Sequence, residues 1–150
     1  MKFRVACVGR PHGAPLAALI ADYEQRAARY WPLEVIEVRE ARGREADQVR
    51  RLETERLRDA CGSSLVVACD ARGRALESVP FATQMQGWRE AARDVTFVVG
   101  GAHGLDRELL APGLTLQLAP WTLPHELARL ILAEQLYRAG TIVRREPYHK

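Results

Sequence analysis

Hydrophobic residues along the chain follow two spacings, and each spacing predicts a different kind of element. Four short runs rich in Val, Leu, Ile and Phe have the length and composition of strands: Phe3–Val8, Leu33–Val38, Leu65–Cys69 and Val95–Val99. Between them, apolar residues recur every three or four positions, the period of an amphipathic helix, over about 16–30, 47–60 and 78–92. Strands that alternate with helices predict an α/β fold built on a mostly parallel sheet.

Local signals refine the first three helices. The first should bury one face, made of Leu16, Leu19, Ile20, Tyr23 and Ala27. The second combines a thin apolar stripe with arginines and carboxylates in nearly equal number, which indicates a solvent-exposed surface helix rather than a docking surface. Ser78 is the predicted N-cap of the third helix. Arg72-Gly73-Arg74, just before it, predicts a turn.

The final third of the chain holds two tight turns. The fourth strand ends at Gly100-Gly101, with Gly104 close behind, and a short alternating run at Leu114–Leu118 predicts a fifth strand that stops at Ala119. In parallel sheets ligands bind beyond the carboxyl ends of the strands, so both turns are candidate ligand loops. The Gly100–Gly104 turn lacks the spacing of a dinucleotide loop and the Lys of a P-loop, and taken alone it is best interpreted as structural.

The last predicted helix, His125–Ala139, is apolar around most of its circumference. Such a helix needs cover on more than one side, and in a chain of 150 residues that cover is most easily a second copy, so a homodimer is expected. The remaining residues, Gly140–Lys150, form a short tail, a kind of segment that is usually frayed.

Composition narrows the classes of function. The length fits one domain spanning residues 1–150, and 47% hydrophobic residues are ordinary for a soluble globular protein. Of the 22 basic residues only two are lysines, so arginine dominates, which suits phosphate recognition but equally fits a codon preference. The three cysteines and four histidines lack metal-ligand spacing, and no apolar run is long enough to span a bilayer. We therefore expect a cytoplasmic protein without a metal or a membrane partner.

Four motifs taken together resemble one family. They are the VGG-x-x-G of the glycine turn, the TLPH before the last helix, the AEQLYRA within it and the PYH near the end of the chain. In this order they resemble the ribosomal RNA large-subunit methyltransferase H family of small SPOUT methyltransferases. The resemblance implies a C-terminal trefoil knot, S-adenosylmethionine as methyl donor and a homodimer. It also implies methylation of N3 of a pseudouridine in large-subunit rRNA, within the assembled ribosome.

The resemblance also implies roles for individual residues. Cofactor contacts fall on Cys69, Gly101, Ala119, Pro120, Trp121, Thr122, Leu123 and Pro124. His149 is the candidate base, Tyr148 and Arg138 would position the target ring, and Arg144, Arg145 and Lys150 would contact RNA phosphates.

The chain departs from the family pattern in its tail. Glu146 stands where His is typical, Gly140 replaces a bulky residue, and Lys150 stands where Arg is typical. These departures leave the tail's contacts with RNA open. Two other functions stay open at this point: a non-catalytic RNA- or ribosome-binding module with the same fold, and a methyltransferase acting on tRNA.

Overall fold

The computed structural model describes all of residues 1–150, which form five strands and five helices. The elements in chain order are β1 (Phe3–Val8), α1 (Ala14–Ala28), β2 (Leu33–Val38), α2 (Ala46–Cys61), β3 (Leu65–Ala75), α3 (Ser78–Glu90), β4 (Val95–Val99), α4 (Arg107–Leu110), β5 (Leu114–Gln117) and α5 (His125–Val143). The strands form one sheet in the order β2-β1-β4-β3-β5, and every neighbouring pair is parallel. The predicted α/β fold with a parallel sheet flanked by helices is confirmed.

The sheet is covered on both faces because its central strands are apolar on both. All five residues of β4 are buried. In β1 the side chains alternate: Phe3 and Val5 belong to a larger core that includes residues of α3 and α5, whereas Ala6 and Val8 belong to a smaller core with α2 and α4. Trp31 fixes the larger core by donating a hydrogen bond from Nε1 to the carbonyl of Leu136, at 2.8 Å.

The path of the chain brings three loops together. β5 follows β4 in sequence but pairs with β3 at the edge of the sheet. Because β4, β3 and β5 are neighbours and run in the same direction, the loops at their carboxyl ends converge on one edge.

β3 is longer than the sequence predicts. The expected turn at Arg72-Gly73-Arg74 is wrong, because the strand passes through an irregularity after Cys69 and pairs with β5 again at Arg74 and Ala75. Gly73 permits this return, since a Cβ there would come within 2.6 Å of the Leu116 backbone.

Two details of the early helices also differ from prediction. Leu19 was expected on the buried face of α1, but it is 45% exposed, and the buried residues of that helix are Ile20 and Ala27. Ser78 is the first residue of α3 rather than its cap, and its hydroxyl lies 2.8 Å from Oε1 of Gln135. The Ser78 hydroxyl therefore ties α3 to α5 instead of satisfying the backbone of its own helix.

The helix α2 is not simply a surface helix. Glu53 and Thr54 are buried along with Val49, Leu57 and Cys61. Thr54 Oγ1 accepts a hydrogen bond from the backbone N–H of Asp106, at 3.0 Å. Polar side chains on α2 therefore hold the segment that follows the glycine turn, which charge patterning alone did not predict.

The predicted frayed tail is wrong for its first residues. α5 continues to Val143, and Gly140 and Thr141 are buried. The ring of Tyr30 lies directly over Gly140, where a Cβ would collide with it, and the Tyr30 hydroxyl donates a hydrogen bond to Glu146. Gly140 and Glu146, two of the departures from the family pattern, thus both contact Tyr30. Through Tyr30 the chain beyond α5 is held against the end of α1.

Candidate active site

The converging loops and the first turn of α5 enclose a pocket of about 330 Å³. This volume lies within the range of sites that hold small-molecule ligands. Most of its lining comes from the segment after Cys69, the glycine turn (Gly100–Gly104), the loop that follows β5, and α5. The lining residues are Cys69, Asp70, Ala71, Arg72, Val99, Gly100, Gly101, Gly104, Leu105, Leu118, Ala119, Trp121, Thr122, Leu123, His125 and Ala128.

The glycine turn forms one wall because its backbone folds back tightly. Gly104 has φ 76° and donates a hydrogen bond from its N–H to the carbonyl of Gly101, at 3.0 Å. A Cβ on Gly100 would lie 2.9 Å from the carbonyl of Gly104. Because Gly100, Gly101 and Gly104 have no side chains, a ligand can approach their backbone closely.

Glu53 supports this turn from below. Its side chain is buried, and Oε1 accepts a hydrogen bond from the backbone N–H of Ala41, at 3.0 Å. The second carboxylate oxygen, Oε2, has no hydrogen-bond partner and lies against Gly101, where a Cβ would collide with it. A residue at position 101 must therefore be glycine for Glu53 to keep its place.

An ion pair stands at the opposite wall. Asp70 accepts hydrogen bonds from Arg72 Nε at 3.0 Å and Nη2 at 2.9 Å. These side-chain bonds lower the pKa of the Asp70 carboxyl, so it stays ionised near neutral pH. The sequence predicted a ligand-facing loop after Cys69 but did not single out Asp70 and Arg72 as pocket residues, because the segment was interpreted only as a turn. The Asp that ends the β3 apolar run was the available signal.

Cys69 lies at the base of the pocket without acting as a nucleophile. Desolvation raises the pKa of its thiol to about 12. The thiol is therefore neutral under physiological conditions, and nucleophilic chemistry needs the thiolate. Cys69 can contribute contact area and shape to the site rather than a covalent step.

The structure brings most of the sequence-predicted cofactor residues together. Cys69, Gly101, Ala119, Trp121, Thr122 and Leu123 all line the pocket. Pro120 and Pro124 do not line it, and Pro124 instead precedes the first residue of α5 as its N-cap. The fixed φ of both prolines suits a loop that must reverse direction before a helix.

The three predicted catalytic residues lie together at the other end of α5. Arg138 donates from Nε to Glu134 Oε1 at 3.0 Å, and the Tyr148 hydroxyl donates to the same oxygen at 3.0 Å. His149 Nδ1 lies 3.3 Å from Arg138 Nη1. Desolvation and hydrogen bonds to Tyr23 and Glu134 raise the pKa of Tyr148. Glu134, which sequence reasoning did not single out, is therefore the centre of this cluster.

The cluster and the pocket are separate within one chain. Ala128 lines the pocket and Arg138 belongs to the cluster. Glu134 and Arg138 lie six and ten residues beyond Ala128, which is about 9 and 15 Å along the helix at the usual rise. The cluster therefore lies beyond the part of α5 that lines the pocket of its own protomer.

The predicted RNA-contacting residues are exposed around this cluster. Arg144, Arg145 and Lys150 all face solvent. The Arg144 guanidinium stacks 4.7 Å from the centre of the Tyr30 ring, and Arg145 has a positive φ of 57°. None of the three forms an ion pair, so their charges are free for an anionic partner.

Two further properties concern the molecule as a whole. No set of three or more His, Cys, Asp or Glu side chains converges in an arrangement that could hold a metal ion. None of the helices combines the length and the apolar character that crossing a bilayer requires.

The parallel sheet, the pocket between its carboxyl-end loops and the sequence itself define the class of protein. A family model described as predicted SPOUT methyltransferase matches residues 1–149. The chain belongs to the SPOUT methyltransferase family, and the assignment made from its sequence motifs is confirmed.

Three similar proteins narrow the assignment. A protein of Gemmatimonas aurantiaca is 54% identical over the full length of both chains. One from an Anaeromyxobacter species is 46% identical, again over both full lengths, and one from Acidiphilium cryptum is 41% identical over 99% of this chain and 94% of its own. Each is named ribosomal RNA large subunit methyltransferase H.

Proposed function

We propose that this chain is an S-adenosylmethionine-dependent methyltransferase of large-subunit rRNA and that its target is N3 of a pseudouridine in the assembled ribosome. The observation that carries the proposal is the pocket at the carboxyl ends of β3, β4 and β5, in a chain whose full-length relatives bear the name of an rRNA methyltransferase. A cytoplasmic location follows from such a substrate, and residues 1–150 would act as one catalytic domain.

The pocket has the properties that the methyl donor requires. Leu118, Leu123 and Val99 offer apolar surface for an adenosine group, and the backbone of the glycine turn is accessible for hydrogen bonds. The Asp70 carboxylate in the pocket lining is paired with Arg72 but keeps a lone pair on Oδ2 that could accept a hydrogen bond from a hydroxyl donor of the ligand. Bound there, S-adenosylmethionine supplies an electrophilic methyl group on a sulfonium, which a nitrogen can take by in-line displacement. The chain's own task is then alignment and removal of one proton.

The tail cluster holds the candidate base for that proton transfer. A guanidinium has no lone pair, so Arg138 Nη1 can donate to His149 only if Nδ1 is the acceptor nitrogen of a neutral imidazole. Because that ring then carries its own proton on Nε2, His149 would accept a proton from N3 at Nδ1 only after the Arg138 contact is released. The aromatic ring of Tyr148, held by Glu134 and Arg138, would position a uracil-like base. Arg144, Arg145 and Lys150 would contact neighbouring phosphates.

We propose a homodimer because the two parts of the site are separated within one chain. The pocket and the tail cluster lie about 9 to 15 Å apart along a straight helix, so a second copy would bring its tail to the first copy's pocket. Two large apolar residues by the pocket support an interface there: Trp121 is 78% exposed and Leu127 is 40% exposed. We also propose that the segment after β4 is threaded as a trefoil knot, as in other SPOUT methyltransferases.

Methyl transfer from labelled S-adenosylmethionine to whole ribosomes, free rRNA and tRNA tests the substrate. Product nucleosides are identified by mass spectrometry, and we expect N3-methylpseudouridine from ribosomes. Label in tRNA alone would refute the rRNA assignment. Failure to bind S-adenosylmethionine in equilibrium dialysis would instead support the non-catalytic RNA-binding module.

A second experiment separates the roles of the two residue sets. His149→Ala should lower kcat at least a hundredfold, which is the usual contribution of a general base, while the Kd for S-adenosylmethionine stays unchanged. Thr122→Trp, which fills the pocket, should weaken donor binding. Equal loss of turnover and of donor affinity in His149→Ala would contradict a catalytic role for the tail.

A further inference from the structure

A second cationic surface lies in the loop between β2 and α2, here named the arginine loop (residues 39–45). Arg39, Arg42 and Arg44 are all exposed, and none of them forms an ion pair. By contrast, Arg50 and Arg51 on α2 are matched by Asp47 and Glu55, at 2.9 and 3.4 Å. Residues 39–58 together carry nearly balanced charges. The ion pairs lie on α2, however, so the arginine loop keeps its positive charge.

The two acidic residues of the loop do not cancel these charges. Glu40 is turned toward the first loop of the chain, where it lies 3.6 Å from His12 Nε2 and packs against Gly9. Glu45 is the N-cap residue of α2, beside the positive end of that helix. Three guanidinium groups thus remain available to an anionic partner, and each can bind a phosphate through two parallel hydrogen bonds.

The arginine loop is fastened beside the pocket rather than hanging free. Glu53 accepts a hydrogen bond from the Ala41 N–H with one oxygen and lies against Gly101 with the other. Arg56 donates from Nη1 to the carbonyl of Arg39, at 2.7 Å. Glu53 is 4% exposed, and burying its side chain with one oxygen unpaired costs stability. Its contacts indicate what the residue contributes in return, since it links the loop to the glycine turn.

We infer that the arginine loop is a phosphate-binding surface that holds the RNA backbone beside the methyl-donor pocket, and that Glu53 is the positioning residue that keeps it there. The inference rests on the proposed function, in that the partner is RNA. This surface is distinct from the tail arginines, which lie at the far end of α5. One protomer would therefore hold RNA at two separated places.

The test compares two double variants that remove the same charge. Arg42→Ala/Arg44→Ala alters the loop. The control, Arg58→Ala/Arg93→Ala, removes two exposed, unpaired arginines from the last turn of α2 and from the segment just before β4, which both lie toward the amino ends of the strands. Affinity for fluorescein-labelled 23S rRNA is measured at several salt concentrations, together with KM and kcat on ribosomes. The Kd of S-adenosylmethionine is measured by calorimetry.

The loop variant should bind RNA at least tenfold more weakly, and the slope of log K against log salt should fall by about 1.4, or about 0.7 for each phosphate contact with single-stranded RNA. KM on ribosomes should rise, with the donor Kd unchanged. RNA affinity within twofold of the control variant would overturn the inference, and so would an equal loss of donor affinity. If the wild-type chain binds RNA through these arginines but methylates nothing, the proposed function fails and the surface stands.

Glu53 is tested through the loop that it holds. In Glu53→Ala the Ala41 amide should exchange its hydrogen at least tenfold faster, and KM on ribosomes should rise as in the loop variant. Glu53→Gln keeps the shape and the acceptor oxygen, so it should fold and should retain both the amide protection and KM. Unchanged Ala41 protection in Glu53→Ala, or a Gln variant with the KM of the loop variant, would refute the positioning role.

Discussion

The sharpest stability prediction concerns Arg129, a buried arginine in the first half of α5. Its side chain is 8% exposed and donates to Glu24 through Nε at 2.7 Å and Nη2 at 3.1 Å, and to Glu37 through Nη1 at 2.8 Å. Burial lowers the pKa of Arg129, but the hydrogen bonds to Glu24 and Glu37 outweigh it and the net direction is upward. Arg129 carries a permanent charge, and its hydrogen bonds join α5 to Glu24 on α1 and to Glu37 on β2.

Replacing Arg129 with alanine should cost about 3 kcal/mol of unfolding free energy. Breaking a buried pair by removing one partner costs about 3 to 5 kcal/mol, because the other charge is left without compensation. The lower end applies here, since the Glu37 side chain is 30% exposed and keeps Arg10 at 3.4 Å, whereas Glu24, at 13%, loses its only cation. Arg129→Lys keeps the charge but cannot serve both carboxylates in one plane, so it should cost about half as much.

Urea unfolding followed by circular dichroism measures the effect. With a slope of about 1 to 3 kcal/mol/M, a loss of about 3 kcal/mol lowers the midpoint by about 1 M or more, with the slope itself unchanged. The matched control is Arg26→Ala, which breaks an exposed pair with Asp22 and should lower the midpoint far less, because water screens exposed pairs. Equal midpoints for Arg129→Ala and Arg26→Ala would refute the reasoning.

Three further predictions concern the tail and the pocket. Gly140→Ala places a Cβ against the Tyr30 ring and should lower the unfolding free energy by about 1 to 3 kcal/mol in urea melts. In a Tyr30→Ala background the same change should cost nearly nothing, because the ring that causes the clash is gone. An equal cost in that background would contradict the steric cause. The Glu146 hydrogen bond, with burial, raises the pKa of Tyr30 to about 12. Because the folded pKa lies above the usual value of about 10, this contribution to stability is complete below pH 10 and is lost as the pH rises toward 12. Tyrosinate absorbance should therefore show two late-titrating tyrosines, Tyr30 and Tyr148, of which only Tyr30 shifts back toward about 10 in Glu146→Gln. An unchanged titration curve in that variant would disprove the assignment. Burial raises the pKa of Cys69 to about 12. Cys69 should therefore react with iodoacetamide at pH 8 far more slowly than free cysteine, and more slowly still with S-adenosylmethionine bound. Alkylation at the rate of a free thiol would contradict this prediction.

The sheet could be predicted from the sequence because its strands carry their own signal. Val95–Val99 is apolar at every position, as a strand buried on both faces must be, and its start and end were predicted correctly. The strand Leu33–Val38 was equally clear. Such runs fix strand positions, since no other element of that length buries every side chain.

The pocket could be predicted only in part, for a physical reason. Gly101 and Leu123 lie in turns whose glycine and proline content is visible in the sequence. Asp70 and Arg72 were missed because a strand that leaves its partner and returns to it has the same local composition as a turn. The register that brings Arg74 back to Leu116 is a property of two segments together, and no local pattern encodes it.

Buried charge was the other property that composition concealed. Glu53 sits on a helix whose charges alternate regularly, and there it looks like one more solvated carboxylate. Its burial depends on the glycine turn lying above it, more than forty residues away in sequence. The same holds for Glu134, whose role as the acceptor for both Arg138 and Tyr148 depends on the tail folding back along α5.

The position of α5 explains why a chain this short would need a second copy to work as an enzyme. Its first turn lines the pocket and its last turns hold the tail cluster, so both parts of the proposed site are attached to one rigid rod. A helix of 19 residues cannot bend to close a gap of about 9 to 15 Å without losing backbone hydrogen bonds. Two copies packed around the exposed Trp121 and Leu127 would close the gap without deforming either helix, because each would present its tail to the other. A variant that separates the protomers without changing the pocket lining, such as Leu127→Glu, should therefore abolish methyl transfer while Arg138, Tyr148 and His149 remain intact. Full activity from a monomer, measured by analytical ultracentrifugation at the assay concentration, would contradict it.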